Sequence, residues 1–420
     1  MPEENYYRAT ATPFAPQPPL EGRILADLVV IGGGFTGLAA ALAAAEAGRR
    51  VVLIEAQTVG YGASGRNGGQ LIPGLRWGAG DLVGEFGLER ARAIYEVAMS
   101  AVDRVKARIA KHAIACDLKP GHVEAAWKPA HYDAMAREAE LLAAEFGRGD
   151  LRMIAASELG DHVTTDAYHG GLLDPQGGHF HPLNYLLGLA TAALAAGVVI
   201  HEHSRVTRLI DGAQVEAITA TGAVTADQAI VATDAWTGDL LVAERSMTVP
   251  LLNYNIATAP LGDLADRLMP SDSAVADSRF VLNYFRLSAD RRMIFGGGEK
   301  YRQAPPPSIA EFVRPHMARI FPDLANIPIE FGWGGVVSVT MNRLPHLARR
   351  GKVALAHGFS GHGALLTTLA GELLVEALAG DCADFDTLAA LPHRRFPGGP
   401  LFAKPLATLG LLYYALKDRL

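Results

Sequence analysis

The chain has 420 residues, enough for two or three domains or for two interleaved ones. It is 50% hydrophobic and 20% charged with a net charge of −6, which is typical of a soluble enzyme and excludes a strongly basic nucleic-acid-binding surface. Cys116 and Cys382 lie far apart and in no metal-type spacing, so a disulfide framework is excluded. The first twenty residues lack a basic and an apolar region of the secretory type, and the predicted location is cytoplasmic.

The elements begin with an extended lead-in over residues 1–25, where prolines block helix. Residues 27–56 then read as strand, glycine turn, helix and strand, a pattern typical of dinucleotide binding. Gly32 permits the tight turn, Gly34 lets the backbone approach a pyrophosphate, and Gly37 lets the helix pack on the strand. Glu55 ends the second strand at the spacing of an acid that accepts ribose hydroxyls and repels a 2′-phosphate.

A transmembrane helix is the alternative interpretation of residues 28–47, which are almost entirely apolar. The three glycines of the turn argue against it, because a helix starts where they end.

The rest of the chain alternates helices with short strands. Helices are predicted at 88–113, 131–146, 181–196, 309–320, 363–379 and 404–419, and strands at 198–208, 215–221, 223–232, 279–287, 292–296 and 351–357. The strands of the first α/β unit return only after long insertions, which predicts two interleaved domains. We assign residues 20–88, 150–240 and 340–385 to the nucleotide-binding domain, 89–149 and 241–339 to a substrate domain, and 386–420 to a tail with a helix.

Three further segments are candidates for contact with the same ligand. The glycine-rich loop 62–70 offers backbone N–H groups and small polar side chains, although an ordinary surface loop is the alternative. Residues 229–236 read as an apolar strand followed by a turn. Residues 358–363 lie between a buried strand and a helix, so the helix N-terminus would face an electron-rich group.

Together, the motifs VVIGGGFTGLAAA, IEA, GASGRNGGQ, VATDAWTG and HGFSGHGALLTTLAGELL resemble those of the FAD-dependent amine and amino-acid oxidoreductases. This is the superfamily of D-amino-acid, glycine and sarcosine oxidases. The lead-in and the motif at 341–346 are similar to the γ-glutamylputrescine oxidase branch, and the resemblance spans nearly the whole chain. It implies an α/β fold, with a Rossmann-like FAD-binding domain interleaved with an α+β substrate domain on a mostly antiparallel sheet.

The resemblance also implies a set of FAD contacts. These would come from Gly32, Gly34, Phe35, Thr36, Gly37, Glu55, Ala56, Gly62, Ala63, Ser64, Asn67, Gly68, Gly69, Gln70, Val206, Ala232, Thr233, Trp236, Gly358, Phe359, Ser360, Gly361, His362 and Gly363. Sarcosine oxidases tether the flavin through a cysteine, but the matching neighbourhood here is 334–336 and has none. We therefore expect noncovalent FAD.

The substrate contacts are less specific. The arginine and lysine that clamp a carboxylate in sarcosine oxidases are missing at 71–73 and 364–365. That favours an amine without an adjacent carboxylate, or a carboxylate held by Arg286 or Arg343. Aromatic candidates for an amine pocket, for which core packing is the alternative role, are Tyr254, Tyr284, Phe285 and Trp333, and His362 is expected near the flavin edge.

The implied reaction is oxidation of an amine C–N bond to an imine that water hydrolyses, with hydride transfer to flavin N5 and reoxidation by O2. A γ-glutamylputrescine-like amine is the expected substrate. The alternative is a dehydrogenase or oxidase of an imino or amino acid, such as pipecolate, proline or a D-amino acid, that passes electrons to a quinone or carrier. A flavin domain acting on modified tRNA is disfavoured because no basic patch is present.

Two further sequence patterns are weaker indications of function. The pairs His179 and His181, and His201 and His203, show H-x-H spacing, but no third ligand cluster accompanies them and no metal is expected. The predicted terminal helix is apolar on one side. We expect it to pack on the body of the protein, and any membrane contact would be confined to it.

Overall fold

A computed structural model describes residues 5–300, 306–380 and 382–399, apart from the side chains of residues 299 and 300. The helix predicted at 404–419 lies outside the described residues, as does the end of the predicted tail. Within the described ranges, no single helix is long and apolar enough to span a bilayer. One pair, Gly363–Ala379 with Ala383–Ala389, meets that length and composition together but is bent by 115°.

The described residues form two sheets whose strands alternate along the chain. The strands are β1 (Gly22–Ile31), β2 (Val51–Ile54), β3 (Gln70–Leu71), β4 (Lys119–Ala125), β5 (Arg152–Ile154), β6 (Gly171–His179), β7 (Val199–His201), β8 (Arg208–Asp211), β9 (Val215–Ile218), β10 (Gly222–Val231), β11 (Thr248–Thr258), β12 (Ala274–Asp277), β13 (Tyr284–Leu287), β14 (Met293–Lys300), β15 (Ile329–Thr340), β16 (His346–Arg350) and β17 (Val353–His357).

Helices cover these sheets and join them. They are α1 (Tyr6–Ala9), α2 (Phe35–Glu46), α3 (Ala79–Phe86), α4 (Leu88–Lys111), α5 (Pro129–Glu145), α6 (Pro182–Ala195), α7 (Thr237–Leu240), α8 (Asp263–Leu268), α9 (Ile309–Ile320), α10 (Gly363–Ala379) and α11 (Ala383–Ala389). Short 3-10 turns lie at Ala63–Gly65, Leu159–Asp161, Asp234–Trp236, Val242–Glu244 and Pro322–Leu324.

The first sheet has the strand order β16-β17-β10-β1-β2-β7, with β9 beside β10 and β8 beside β9. Its centre is parallel, and the residues of β1 from 28 to 31 are buried on both faces, as helix-covered parallel strands require. Helices α2 and α10 cross closely over one face. A Cβ at Gly371 would lie 2.4 Å from the carbonyl oxygen of Thr36, so only glycine permits this approach.

The second sheet has the order β15-β11-β14-β13-β12-β4-β6-β3, with β5 beside β6. All its pairs are antiparallel except β4 with β12, so the predicted fold class is confirmed. One face packs under α9 in an aromatic core, where Phe285 meets Phe321 edge-on with ring centroids 4.9 Å apart. Phe285 is therefore a core residue, which is the alternative role that the sequence analysis left open for it.

Sheet membership differs from the predicted domain division at three strands. β3, β5 and β6 belong to the second sheet, although they lie within stretches that we assigned to the nucleotide-binding domain. The cause is that β6 pairs with β4 along most of its length, a long-range match that local patterns do not show. The division into domains itself stays a prediction.

Candidate cofactor and active site

A cavity of about 710 Å³ lies between the carboxyl ends of the central strands of the first sheet and the second sheet. Ligand pockets commonly occupy such an edge in open α/β sheets. Of the predicted cofactor contacts, the cavity wall contains Gly32, Gly34, Phe35, Thr36, Glu55, Ala56, Gly62, Ala63, Ser64, Asn67, Gly68, Gln70, Val206, Ala232, Thr233, Trp236, Phe359, Ser360, Gly361 and Gly363. The structure thus brings together residues from six separate segments, while their roles in binding stay predictions.

The glycine turn after β1 forms one wall of the cavity. Gly32 has φ +113°, and a Cβ there would lie 2.5 Å from the carbonyl oxygen of Ala232, which directly follows the neighbouring strand β10. Gly37 lies behind the wall, where a Cβ would come within 1.9 Å of the Gly32 carbonyl oxygen. Gly34 is the N-cap of α2 and has no side chain to cap the helix. The Phe35 N–H donates to Ser64 Oγ at 3.0 Å, and the helix presents its other N-terminal N–H groups and its partial positive charge toward the cavity. These features fit a pyrophosphate.

Glu55 lies in the cavity wall at the end of β2. Its carboxylate accepts hydrogen bonds from the backbone N–H groups of Gly33, at 2.7 Å, and Gln57, at 2.9 Å. Burial raises the pKa of this carboxyl group, and the two N–H groups act in the opposite direction. The carboxylate is held beside the glycine turn, as an acceptor for ribose hydroxyls would be.

The loop of residues 62–70 is folded by its own polar side chains and by the protein behind it. The Asn67 side-chain oxygen accepts from the backbone N–H of Gly69 at 2.8 Å, and Arg286 Nε donates to the Gly68 carbonyl at 2.8 Å. Gly69 and Arg286 are not among the residues that line the cavity. Arg286 instead supports the loop from behind.

The loops after β10 and β17 meet at the cavity. The backbone N–H of Gly358 donates to Asp234 Oδ1 at 3.0 Å, and the N–H of Ser360 donates to the Ser338 carbonyl at 2.9 Å. Burial raises the pKa of Asp234 to about 6. The loop leads into α10, whose N-cap His362 makes no side-chain capping bond, so a second helix N-terminus faces the cavity at Gly363.

The predicted substrate residues occupy different places. Tyr284 lines the cavity, and its hydroxyl donates to the side-chain oxygen of Asn253. Tyr254 is fully buried against Phe312, and Trp333 is 1% exposed and donates from Nε1 to the Arg66 carbonyl at 3.0 Å.

Four more predicted contacts lie away from the cavity wall, in addition to Gly37, Gly69, Tyr254 and Trp333. Arg286 is 2% exposed, and its guanidinium also donates to the Tyr7 hydroxyl at 3.1 Å and to the Leu287 carbonyl. Gly358 and His362 flank the lining residues of their loop, and burial lowers the pKa of His362 to about 3. Arg343 stacks its guanidinium over the Phe280 ring at 5.0 Å. Neither arginine is placed to hold a carboxylate in the cavity.

Sequence reasoning missed several residues of the cavity wall. Arg66 and Asp234 lie inside recognised motifs and could have been found by taking every polar position of each motif. The sequences of β11 and β15 contain no motif that indicates a ligand contact, because these strands reach the cavity only through long-range pairing. The missed lining residues include Gly33, Gln57, Tyr61, Arg66, Ile72, Arg76, Arg205, Thr207, Asp234, Asn253, Gly335, Val337, Ser338 and Thr367.

Comparison with known proteins agrees with this geometry. The profile of the family described as FAD dependent oxidoreductase matches residues 27–377, and the chain belongs to that family. The chain is 37% identical to the γ-glutamylputrescine oxidoreductase of Escherichia coli K12 over 99% of this chain and 98% of that protein.

Solved structures share the fold. Glycine oxidase from Geobacillus kaustophilus superposes with a TM-score of 0.71 at 20% identity, over 86% of this chain and 96% of its own. L-amino acid deaminase from Proteus vulgaris, without its insertion sequence, also gives a TM-score of 0.71, at 19% identity over 90% of this chain and 95% of its own.

FAD is therefore the cofactor of this chain. The N-terminus of α2, the glycine turn and Glu55 fit its pyrophosphate and ribose. Cys116 is buried and Cys382 is partly buried, and neither is among the residues that line the cavity. This placement agrees with noncovalent binding.

Proposed function

We propose that this FAD-dependent oxidoreductase oxidises the primary amine of a γ-glutamylated diamine, such as γ-glutamylputrescine, and that O2 reoxidises the cofactor. The product is an imine that water hydrolyses to an aldehyde. The 37% identity to the E. coli γ-glutamylputrescine oxidoreductase over nearly the full length of both chains carries this proposal. When bound, FAD supplies the hydride-accepting ring, and the protein binds and orients the amine.

Tyr284 and Arg76 provide a suitable pair of groups in the cavity wall. The Tyr284 ring packs against the backbone of the loop at Gly68, where a Cβ would lie 2.4 Å from a ring carbon. An aromatic ring there can attract an ammonium group before it loses its proton. A guanidinium such as Arg76 can hold the α-carboxylate of a γ-glutamyl group.

Glu124 adds a carboxylate to the same side of the second sheet. It pairs with Ala276, which in turn pairs with Tyr284, so both side chains point to one face about 10 Å apart. The Glu124 side chain is exposed. The pKa of its carboxyl group is nevertheless raised, because desolvation by the surrounding protein outweighs the opposite effect of Arg76. A carboxylate, a guanidinium and a phenol near one another suit a substrate with two ammonium groups and one carboxylate.

Steady-state kinetics with two substrates test this assignment. We expect Arg76→Gln to raise the KM for γ-glutamylputrescine about 10- to 100-fold, the loss of a charge-assisted hydrogen bond, with little change for putrescine, which has no carboxylate. Arg343→Gln is the matched control, because its guanidinium stacks on Phe280 and does not line the cavity. Equal losses on both substrates, or a wild type inactive with γ-glutamylputrescine, would contradict the proposal.

The electron acceptor is tested in the same assay. Stoichiometric hydrogen peroxide is expected from the oxidase. Reduction of a dye or quinone without peroxide would replace O2 by a carrier and leave the amine substrate intact.

A further inference from the structure

Three buried ligand-type side chains meet outside the cofactor cavity. His346 and His357 are directly opposite each other on the antiparallel pair β16–β17, and Glu244 comes from the 3-10 turn Val242–Glu244. Glu244 is 1% exposed, His357 is fully buried and His346 is 9% exposed. None of the three is among the residues that line the cofactor cavity.

The distances within this cluster match those of a metal coordination sphere. His346 Nδ1 lies 2.9 Å from His357 Nε2, and Glu244 Oε2 lies 3.5 Å from the former and 3.4 Å from the latter. Zinc bonds of about 2.0–2.1 Å in a tetrahedron place neighbouring ligand atoms about 3.3 Å apart. Two imidazoles and one carboxylate form a common donor set for zinc, whereas calcium and magnesium prefer oxygen alone.

Without a cation the cluster leaves a carboxylate oxygen unsatisfied. One proton can bridge the two facing imidazole nitrogens, but Glu244 Oε2 then has no hydrogen-bond partner among the described residues. Its contacts at 3.4 and 3.5 Å are long compared with charge-assisted bonds of about 2.7–2.9 Å. The other oxygen, Oε1, accepts from Arg350, which fixes the orientation of the carboxylate. A divalent cation would satisfy all three ligand atoms together.

We propose that Glu244, His346 and His357 bind one Zn²⁺, with water as the fourth ligand. The site joins the turn after α7 to the edge of the first sheet, one residue before Gly358. The N–H of Gly358 is held by Asp234 in the cofactor cavity, so the ion would stiffen that wall without touching the flavin. This role is structural and does not depend on which substrate the enzyme oxidises.

Metal binding by the tag-free holoenzyme tests the proposal. After treatment with a chelator, the wild type is expected to take up one equivalent of Zn²⁺ and to unfold at a higher temperature than the metal-free form. Co²⁺ should give the visible bands of a four-coordinate ion at wavelengths longer than those of the flavin. A wild type that neither retains Zn²⁺ nor shows these bands would overturn the proposal.

Variants connect the metal to the three side chains. Glu244→Gln and His346→Asn should weaken Zn²⁺ binding by at least about 100-fold, more than the usual effect of a supporting residue. His346→Cys should retain the metal because a thiolate is also a zinc ligand. His203→Asn is the matched control, since His203 is exposed and outside the cluster.

Unchanged Zn²⁺ affinity in Glu244→Gln and His346→Asn would assign the ion to another site and overturn the proposal. If those two variants fail to fold, the uptake and Co²⁺ spectrum of the wild type and of His346→Cys decide the outcome.

Discussion

Single glycines determine how closely the elements of the cofactor site approach one another. Gly37 lies within α2, where a Cβ would be 1.9 Å from the Gly32 carbonyl oxygen, a backbone atom that cannot move aside. We expect Gly37→Ala to lower the free energy of unfolding by roughly 1–3 kcal/mol and to weaken FAD binding, because the helix must shift from the strand. Chemical denaturation and retention of FAD on gel filtration measure both effects.

Gly84 provides the control for that substitution. It also lies inside a helix, α3, but a Cβ there would meet no atom within 4 Å. Gly84→Ala should leave FAD bound and stabilise the protein by up to about 1 kcal/mol through helix propensity. Equal behaviour of the two variants would contradict the close-packing explanation.

Glu55 should control affinity for the cofactor. Glu55→Gln removes the charge that organises the N–H groups of Gly33 and Gln57, and replaces a strong acceptor for ribose hydroxyls. We expect the Kd of FAD for the apoprotein to rise about 10- to 100-fold, measured by quenching of flavin fluorescence. Glu216→Gln, in a surface pair with Arg23, should have no effect, and a similar rise there would point to a general charge effect.

Residue types could be predicted where a local backbone requirement dictates them. The glycines of the turn and Glu55 follow from a short motif, and the structure places both at the cavity or directly behind it. The roles of Arg286 and Trp333 could not be predicted, because their partners are carbonyls of the distant 62–70 loop. The local sequence around an arginine or a tryptophan does not distinguish a side chain that contacts a ligand from one that supports a loop.

At the scale of elements, the lead-in shows the largest difference from the prediction. Residues 1–25 were expected to be extended, yet Tyr6–Ala9 forms one helical turn with Asn5 as its cap. Tyr6 and Tyr7 are buried, and Tyr7 packs edge-on against Trp333 with ring centroids 5.2 Å apart. Tertiary contacts stabilise this turn, which is too short to form alone.

The hydrogen bond between Tyr7 and Arg286 provides a test of that docking. Tyr7→Phe removes the hydroxyl that accepts from Arg286 at 3.1 Å and leaves part of a buried guanidinium unsatisfied. We expect a loss of roughly 1–3 kcal/mol in the free energy of unfolding. Tyr132→Phe is the control, because the Tyr132 hydroxyl bonds to no described residue, and it should change the free energy of unfolding little. If Tyr7→Phe also leaves this free energy unchanged, the lead-in does not support Arg286.

Element bounds were predictable where periodicity is strong. The helix predicted at 309–320 coincides with α9, which begins at the cap Ser308 and turns an apolar face to the core. The strand predicted at 279–287 is shorter and starts at Tyr284, because the side chain of Asp277 accepts backbone and side-chain bonds from Arg279 and Asn283 and holds a turn there. Such a turn depends on a buried carboxylate, which local composition does not reveal.

For the whole molecule, the interleaving of two sheets was predictable from the order of the elements, but the path of each strand was not. β6 pairs with β4 across the predicted domain boundary. Register between distant strands depends on which faces are buried, a property of the completed fold.

Buried histidines make the stability of the molecule depend on pH. Burial lowers the pKa of His122 to about 4, whereas an unfolded histidine titrates near 6.5. Between these two pKa values the unfolded chain binds more protons at His122 than the folded protein does. The contribution of neutral His122 to the free energy of unfolding is therefore full above about pH 6.5 and is lost as the pH falls. As the pH falls from 6.5 to 4, we expect the free energy of unfolding of His122→Gln to rise by roughly 3 kcal/mol relative to that of the wild type.

Urea denaturation at a series of pH values measures this gain. His203→Gln is the control, because it removes an exposed histidine in place of a buried one. A constant difference between wild type and His122→Gln across the range would show that His122 is not held neutral by burial.

We expect an amine to reduce FAD directly in the cavity between the two sheets. Anaerobic mixing of the purified yellow enzyme with γ-glutamylputrescine tests it through the visible absorbance of the bound flavin. We predict bleaching by one equivalent of substrate and return of the colour when O2 is admitted. A flavin that dithionite reduces but that no amine or amino acid bleaches would show that amines are not the electron donors of this enzyme.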